Sequence, residues 1–278
     1  MSTQTKAPDS LKESFDYLYK TYFGELQIEK DEMERLPGLL DGCQLFIDVG
    51  ASLGMYTYFA NKILENAEII AIEADPDRFR ELEKNCAKWE KEGSNRIRAV
   101  FAAAGDSRDT LEFFKTGSHI SGSVFTIPER SDTYERVEVP QIMLDDYYLP
   151  GRKTFVKIDV EGAEYRVMEG ATRLIEDGTT QFAIGIHSWG DKERKKTPMG
   201  FLRLLYSKNM SISKTSNHMT SNYLFGPAKC GKIALFVSYL KYTPMLLFRQ
   251  TYRWAVPRPV GRAMEKMFNA LRQRRFAT

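Results

Sequence analysis

The stretch FIDVGASLGMYTYFA, residues 46–60, constrains the chain more than any other. LFIDVG reads as a short buried strand, and Gly50 and Gly54 mark a turn. From Leu53 onward the apolar residues Tyr56, Phe59, Ala60, Ile63 and Leu64 recur at helical spacing. A strand that passes through a glycine turn into a helix can bring a ligand against bare backbone at the helix N-terminus. Asp48 stands just before that turn.

The same unit recurs down the chain. EIIAIEAD is a second strand, and Asp75-Pro76 opens a helix with Phe79, Leu82, Cys86 and Trp89 on one face, proline being suited to the first turn. IRAVFAAAGD gives a third strand and turn. TFVKIDVEG gives another buried strand, with a helix over Ala163 to Ile175, and QFAIGIH a further strand. Strands alternating with helices from residue 45 to 187 predict an α/β fold: a mostly parallel central sheet with helices on both faces. LEFF, SGSVF and RVEVPQIML read as shorter, antiparallel strands. Pro198 to Leu205 reads as helical, and NMSISK with NYLFG as a closing hairpin. Upstream, residues 10–36 read as one or two polar helices that end in the loop LPGLLDG.

Charge divides the chain where the strands stop. Residues 228–278 hold eleven Lys or Arg and a single acid, Glu265, a net +10; the whole chain carries +3, so residues 1–227 carry −7. These observations predict an N-terminal helical segment over 1–40, a catalytic domain over 41–227 and a basic, apolar-rich helical extension over 228–278. In the extension, Val260, Met264, Met267, Phe268 and Leu271 share a helical face with arginines and lysines around it. Such a helix suits peripheral contact with an anionic membrane or packing on the acidic body; nucleic acid is not expected. Cys43, Cys86 and Cys230 are scattered and form no CxxC pair, so a reducing, cytoplasmic setting is expected and no cysteine metal site.

Ligands of parallel α/β sheets sit at the carboxyl ends of the strands. The turn GASLG lacks the GxGxxG spacing that admits a dinucleotide pyrophosphate, and no lysine follows it as in a phosphate-binding loop. The alternative is a ligand without phosphate, such as S-adenosylmethionine. Asp48 could hold its amino group or order water, Gly50 could admit the methionine part, and Glu73 could accept both ribose hydroxyls. For an acceptor hydroxyl, the base candidates are Asp159, Glu161, Glu164 and His187; on a helix Glu161 and Glu164 would share a face. No metal is required. Two other readings fit less of the sequence: a nicotinamide-dependent oxidoreductase, for which Glu73 would serve but the glycine turn does not, and a catalytically silent interaction module.

IDVGASLGMYT, IEADP, AAAGD, MLDDYY, VKIDVEGAEYRVMEGA and NYLFG, in this order, resemble the FkbM-type S-adenosylmethionine-dependent methyltransferases. The resemblance covers roughly Gln44 to Gly226, and KIDVEGAE is its most specific part. It implies a Rossmann-like methyltransferase fold and O-methylation, often of hydroxyls on sugars or glycoconjugates. By position it assigns Asp48, Gly50, Ala51, Gly54, Glu73 and Ala74 to the cofactor. Ala103 would lie near the adenine. The catalytic candidates Asp159, Glu161 and His187 rest on their own places at the strand ends; at AIGIHSWG the chain departs from the family, whose members often carry an acid there.

Overall fold

The computed structural model describes residues 30–116, 134–186, 198–214, 222–228 and 231–241. Expectations for His187, for SGSVF and for the amphipathic stretch from Val260 to Leu271 lie outside them.

Strands β1 (Leu45–Val49), β2 (Glu68–Glu73), β3 (Arg96–Phe101), β7 (Thr154–Ile158), β8 (Thr180–Gly185), β9 (Met210–Lys214) and β10 (Asn222–Pro227) form one sheet. Its order is β3-β2-β1-β7-β8-β10-β9. The strands from β3 to β8 pair in parallel, and β10 runs antiparallel to both β8 and β9. The α/β expectation and the closing hairpin are therefore both present. The strand order turns outward in both directions from β1 and β7, which makes the carboxyl ends of these two strands the switch point of the sheet. A second sheet, β4 (Ala103–Ala104), β5 (Asp109–Thr116) and β6 (Tyr134–Ile142), holds the expected antiparallel pair, with β4 parallel to β6.

Both faces of the main sheet are buried, so its strands read as apolar runs. Period-two alternation sorts them. Leu45, Ile47, Val49, Val156 and Ile158 enter one core; Phe46, Ile69, Ala71 and Phe155 enter the other, with Phe46 stacked on Phe155 at 6.0 Å. Helices α2 (Met55–Ile63) and α3 (Pro76–Glu90) cover the second core through Tyr56, Ala60, Leu82, Cys86 and Trp89. The Asp75 side chain caps α3 by accepting from the Asp77 and Arg78 amides.

Two boundaries differ from the sequence reading. Helix α1 (Lys30–Leu39) runs through Pro37 instead of stopping before it. Leu36 and Leu40, four apart, are both buried, and the Leu40 amide donates to the Leu36 carbonyl across the proline, so packing of this face outweighs the lost hydrogen bond. The helix expected over Ala163 to Ile175 is two helices, α4 (Glu164–Glu169) and α5 (Thr172–Glu176). At the break, a Cβ on Gly170 would fall well under 3.0 Å from the Gly105 carbonyl oxygen and 3.5 Å from the Met143 Cα. The chain thus gives up one helical turn to let the β4 loop pass. Asp145, in the 3-10 turn Leu144–Tyr147, then caps α5 by accepting from the Arg173 and Leu174 amides. Gly170→Ala sets a side chain against the Gly105 backbone and should lower stability by about 3 kcal/mol, read as a lower thermal midpoint; an unchanged midpoint would show that the two loops can part freely.

Helix α6 (Pro198–Ser207) lies beside β9, and the described residues 232–241 are helical (α7) and pack there through Leu235 and Tyr239. Tyr239 donates its hydroxyl to the Met210 carbonyl at 2.9 Å.

Candidate functional site

Three loops meet at the carboxyl edge. The amides of Gly50 and Ala51 both donate to the Ile72 carbonyl, and the Asp159 amide donates to the Val49 carbonyl, so the loops after β1 and β7 continue the sheet ladder before they turn away. Gly50 has φ +77°. A Cβ there would lie well under 3.0 Å from the Asp159 carbonyl oxygen. Gly50 is therefore required twice, by its left-handed backbone and by the close passage of the β7 loop. Gly54 serves packing: at φ +92° it precedes α2, and a Cβ would meet the Trp89 and Leu82 side chains at 2.8 and 2.9 Å. Ala51 is likewise buried, among the residues of the second core.

Glu73 ends β2, buried, with both carboxylate oxygens fixed. Oε2 accepts from the Ser52 amide at 2.7 Å, and Oε1 accepts from the Asp75 amide at 2.8 Å. Ser52 adopts φ +53°, a left-handed conformation uncommon outside glycine, and its amide reaches Glu73 from there. Burial pushes the Glu73 carboxyl up; the Arg78 charge and the two amides pull the other way. Each oxygen keeps a lone pair beyond the one used by an amide. Ala74 and Ala103 lie together in the small core of the second sheet, Ala103 buried and Ala74 packed against it. Beyond them Gln141 donates to Asp106 Oδ1 and Ser107 Oγ at 3.2 and 3.1 Å.

Asp48 faces the α2 side of the sheet, opposite Lys157 in register. Its Oδ2 accepts from the Thr57 amide at 3.0 Å and hydroxyl at 2.7 Å, so it anchors α2 to β1. Burial raises the Asp48 carboxyl from 3.8 to about 6, against the Thr57 hydroxyl and the Lys157 ammonium. The folded chain thus holds this proton more tightly than the unfolded one. Its contribution to stability is greatest below about pH 4, falls as pH rises to about 6, and is flat above; the drop is about 3 kcal/mol by linkage. Asp48→Asn, which stays neutral, should gain on the wild type by roughly that amount between pH 4 and 7 in denaturant unfolding. A difference independent of pH would contradict the assignment.

Lys157 was missed as a site element. It is 1% exposed in the middle of β7; its Nζ lies 3.3 Å from Asp159 Oδ2 and 4.8 Å from the Tyr56 ring centroid. A lysine inside an otherwise apolar strand was the available signal, since a buried ammonium needs a partner. Asp159 is the more open member of the pair, its side chain 36% exposed at the strand end. Glu161 sits beyond it at φ +52°, followed by Gly162 at +110°, in a turn that ends before α4 begins at Glu164. Glu161 and Glu164 therefore do not share a helix face. Glu164 is buried and its Oε1 accepts from the Gly162 amide at 3.1 Å, bracing that turn.

Asp48, Gly50, Ala51, Glu73, Asp159 and Glu161 are thus brought to one edge, with Ala74 and Ala103 beside Glu73 and Gly54 turned into the helix packing. This is a doubly wound sheet whose switch point is lined by a backbone-oriented carboxylate, a glycine turn and a lysine-anchored aspartate. The model of the methyltransferase FkbM domain matches residues 48–212, more than half of the chain. The chain belongs to this family, and its cofactor is S-adenosylmethionine. No curated protein matches. Among solved structures, an FkbM methyltransferase from Methylobacillus flagellatus is 15% identical with a TM-score of 0.45, over 66% of this chain and 44% of that one, so the chain spans less than half of that protein's length. An O-methyltransferase from Bacillus cereus in complex with SAH is 11% identical with a TM-score of 0.45, over 82% and 94% of the two chains. An rRNA methylase from Streptococcus thermophilus is 12% identical with a TM-score of 0.38, over 70% and 92%.

The residues present fit the cofactor. Glu73 carries two fixed acceptor oxygens at the strand end, the chemistry that a vicinal diol such as a ribose needs, and the Gly50 turn holds the β7 loop beside it.

Proposed function

We propose that the chain transfers a methyl group from S-adenosylmethionine to a hydroxyl oxygen, and that the acceptor is a sugar or glycoconjugate. The observation that carries the cofactor half is the Glu73 carboxylate, buried at the strand end and held by the Ser52 and Asp75 amides. Its spare lone pairs take the ribose hydroxyls, and the turn at Gly50 seats the β7 loop, with Asp159, beside them. When bound, the cofactor supplies an electrophilic methyl group on a sulfonium. The chain must align the acceptor oxygen and take its proton.

Asp159 is the group we assign to that proton. It stands at the mouth of the switch point and is partly open to solvent, while Lys157 holds one carboxylate oxygen from below. Glu161, raised on its left-handed turn next to Asp159, is assigned to the acceptor, where a carboxylate accepts hydrogen bonds from neighbouring hydroxyls. That reading of the acceptor follows the family resemblance and the carboxylates at the mouth.

The test is incubation with S-adenosylmethionine and a panel of mono- and oligosaccharides, with S-adenosylhomocysteine release and a methyl ether as readouts. Asp159→Asn should lower turnover by about 100-fold, the usual range for a general base, and leave S-adenosylhomocysteine affinity within about threefold. Methylation confined to amine or thiol acceptors would refute the hydroxyl assignment. Full turnover in Asp159→Asn would refute the base.

A further inference from the structure

Helix α7 has two unlike faces. Leu235 and Tyr239, four apart, are buried against the body. Ile233, Phe236, Val237 and Leu240 follow the i, i+3, i+4, i+7 spacing of a single helical stripe and point outward, 83%, 52%, 55% and 55% exposed. Among the described residues only one other large hydrophobic side chain, Leu149, is comparably open. Single exposed apolar residues are ordinary; four aligned on one helix mark an interaction surface.

Its surroundings indicate the partner. Lys232 and Lys241 are exposed at the two ends of the stripe. No acid occurs from residue 228 until Glu265, and residues 228–278 carry net +10. Phe236 meets the body at the edge of the stripe, its ring 6.4 Å from that of Tyr206, and still leaves half of its surface open. Apolar side chains flanked by two exposed lysines, in a segment whose sequence holds no acid before Glu265, match the interface of an anionic bilayer: acyl chains below, phosphates above. A helix whose exposed apolar residues form one stripe with lysines at its ends lies in the plane of the interface. No helix of the described residues is long and apolar enough to cross a membrane.

We propose that α7 docks the protein on anionic membrane surfaces by inserting Ile233, Phe236, Val237 and Leu240 between headgroups. This docking rests on no assumption about the acceptor.

The test is co-sedimentation of the full chain with phosphatidylcholine vesicles with and without 30% phosphatidylglycerol (about that fraction suffices for a strong surface charge). Binding to the anionic vesicles should exceed that to the neutral ones by at least tenfold, and should weaken with salt. The combined variant Ile233→Ser, Phe236→Ser, Val237→Ser, Leu240→Ser should lose at least tenfold in binding while keeping its thermal midpoint and S-adenosylhomocysteine affinity. If the folded variant binds vesicles as the wild type does, the proposal fails. It also fails if the wild type binds no vesicles; a lowered midpoint in the variant would then show that the chain itself covers the stripe, and a change from dimer to monomer in light scattering that a second copy does.

Discussion

Gly50→Ala is expected to lower the thermal midpoint by about 10 °C and to weaken S-adenosylhomocysteine binding at least tenfold. The left-handed backbone at φ +77° costs a non-glycine residue roughly 1–2 kcal/mol. The added Cβ also meets the Asp159 carbonyl oxygen, a backbone atom that cannot rotate away. Overpacking of that kind costs about 1–3 kcal/mol more. The sum, about 2–5 kcal/mol, converts to roughly 10 °C for a domain of this size. Relief requires the β7 loop to move, and Asp159 moves with it. Differential scanning calorimetry, with titration at a temperature where the variant is folded, reads both effects. A midpoint within 2 °C of wild type would mean that the two loops are not in backbone contact.

Glu73→Gln weakens cofactor binding nearly as fully as Glu73→Ala does. A glutamine is the usual gentle replacement, but here both carboxylate oxygens face backbone donors, Ser52 N–H on one side and Asp75 N–H on the other. An amide has one oxygen. Whichever way it turns, its NH₂ group meets an N–H, leaving a buried donor unpaired at a cost of about 1–3 kcal/mol. The ribose also loses a charged acceptor, worth about 1.5–3 kcal/mol. The lost acceptor predicts at least a tenfold loss of S-adenosylhomocysteine affinity in Glu73→Gln, and the unpaired donor a lower thermal midpoint. Ser52 must hold its left-handed backbone to reach Glu73, so its loop should loosen too, seen as faster amide exchange at Ser52. Retention of affinity within threefold in Glu73→Gln would show that the ribose is not held here.

Much of this could be read from residues alone, because the fold rests on short-range signals. Buried parallel strands appear as apolar runs, and Asp75-Pro76 combines a cap with a first-turn proline. The closing hairpin showed in two short strand patterns near the end of the body. Failures came where distant segments touch. Gly50 was identified, but the atom that demands it is the carbonyl of Asp159, on a loop far along the chain. Gly170 breaks a continuous helical pattern for the sake of Gly105, which no local periodicity encodes. Glu161 was placed on a helix because its spacing to Glu164 fits one, whereas two left-handed residues keep it in the turn. Lys157 and Asp159 stand two apart on a strand, hence on one side of the sheet, but their pairing depends on Asp48 across the ladder and Tyr56 above it.

One measurement bears most directly on the account: calorimetric titration of the purified wild-type chain with S-adenosylhomocysteine and, separately, with NAD. Glu73 alone would suit the ribose of either ligand; the turn at Gly50 has no pyrophosphate spacing. The account predicts saturable one-to-one binding of S-adenosylhomocysteine and no heat from NAD beyond dilution. NAD binding, or folded protein that binds neither ligand, would contradict it.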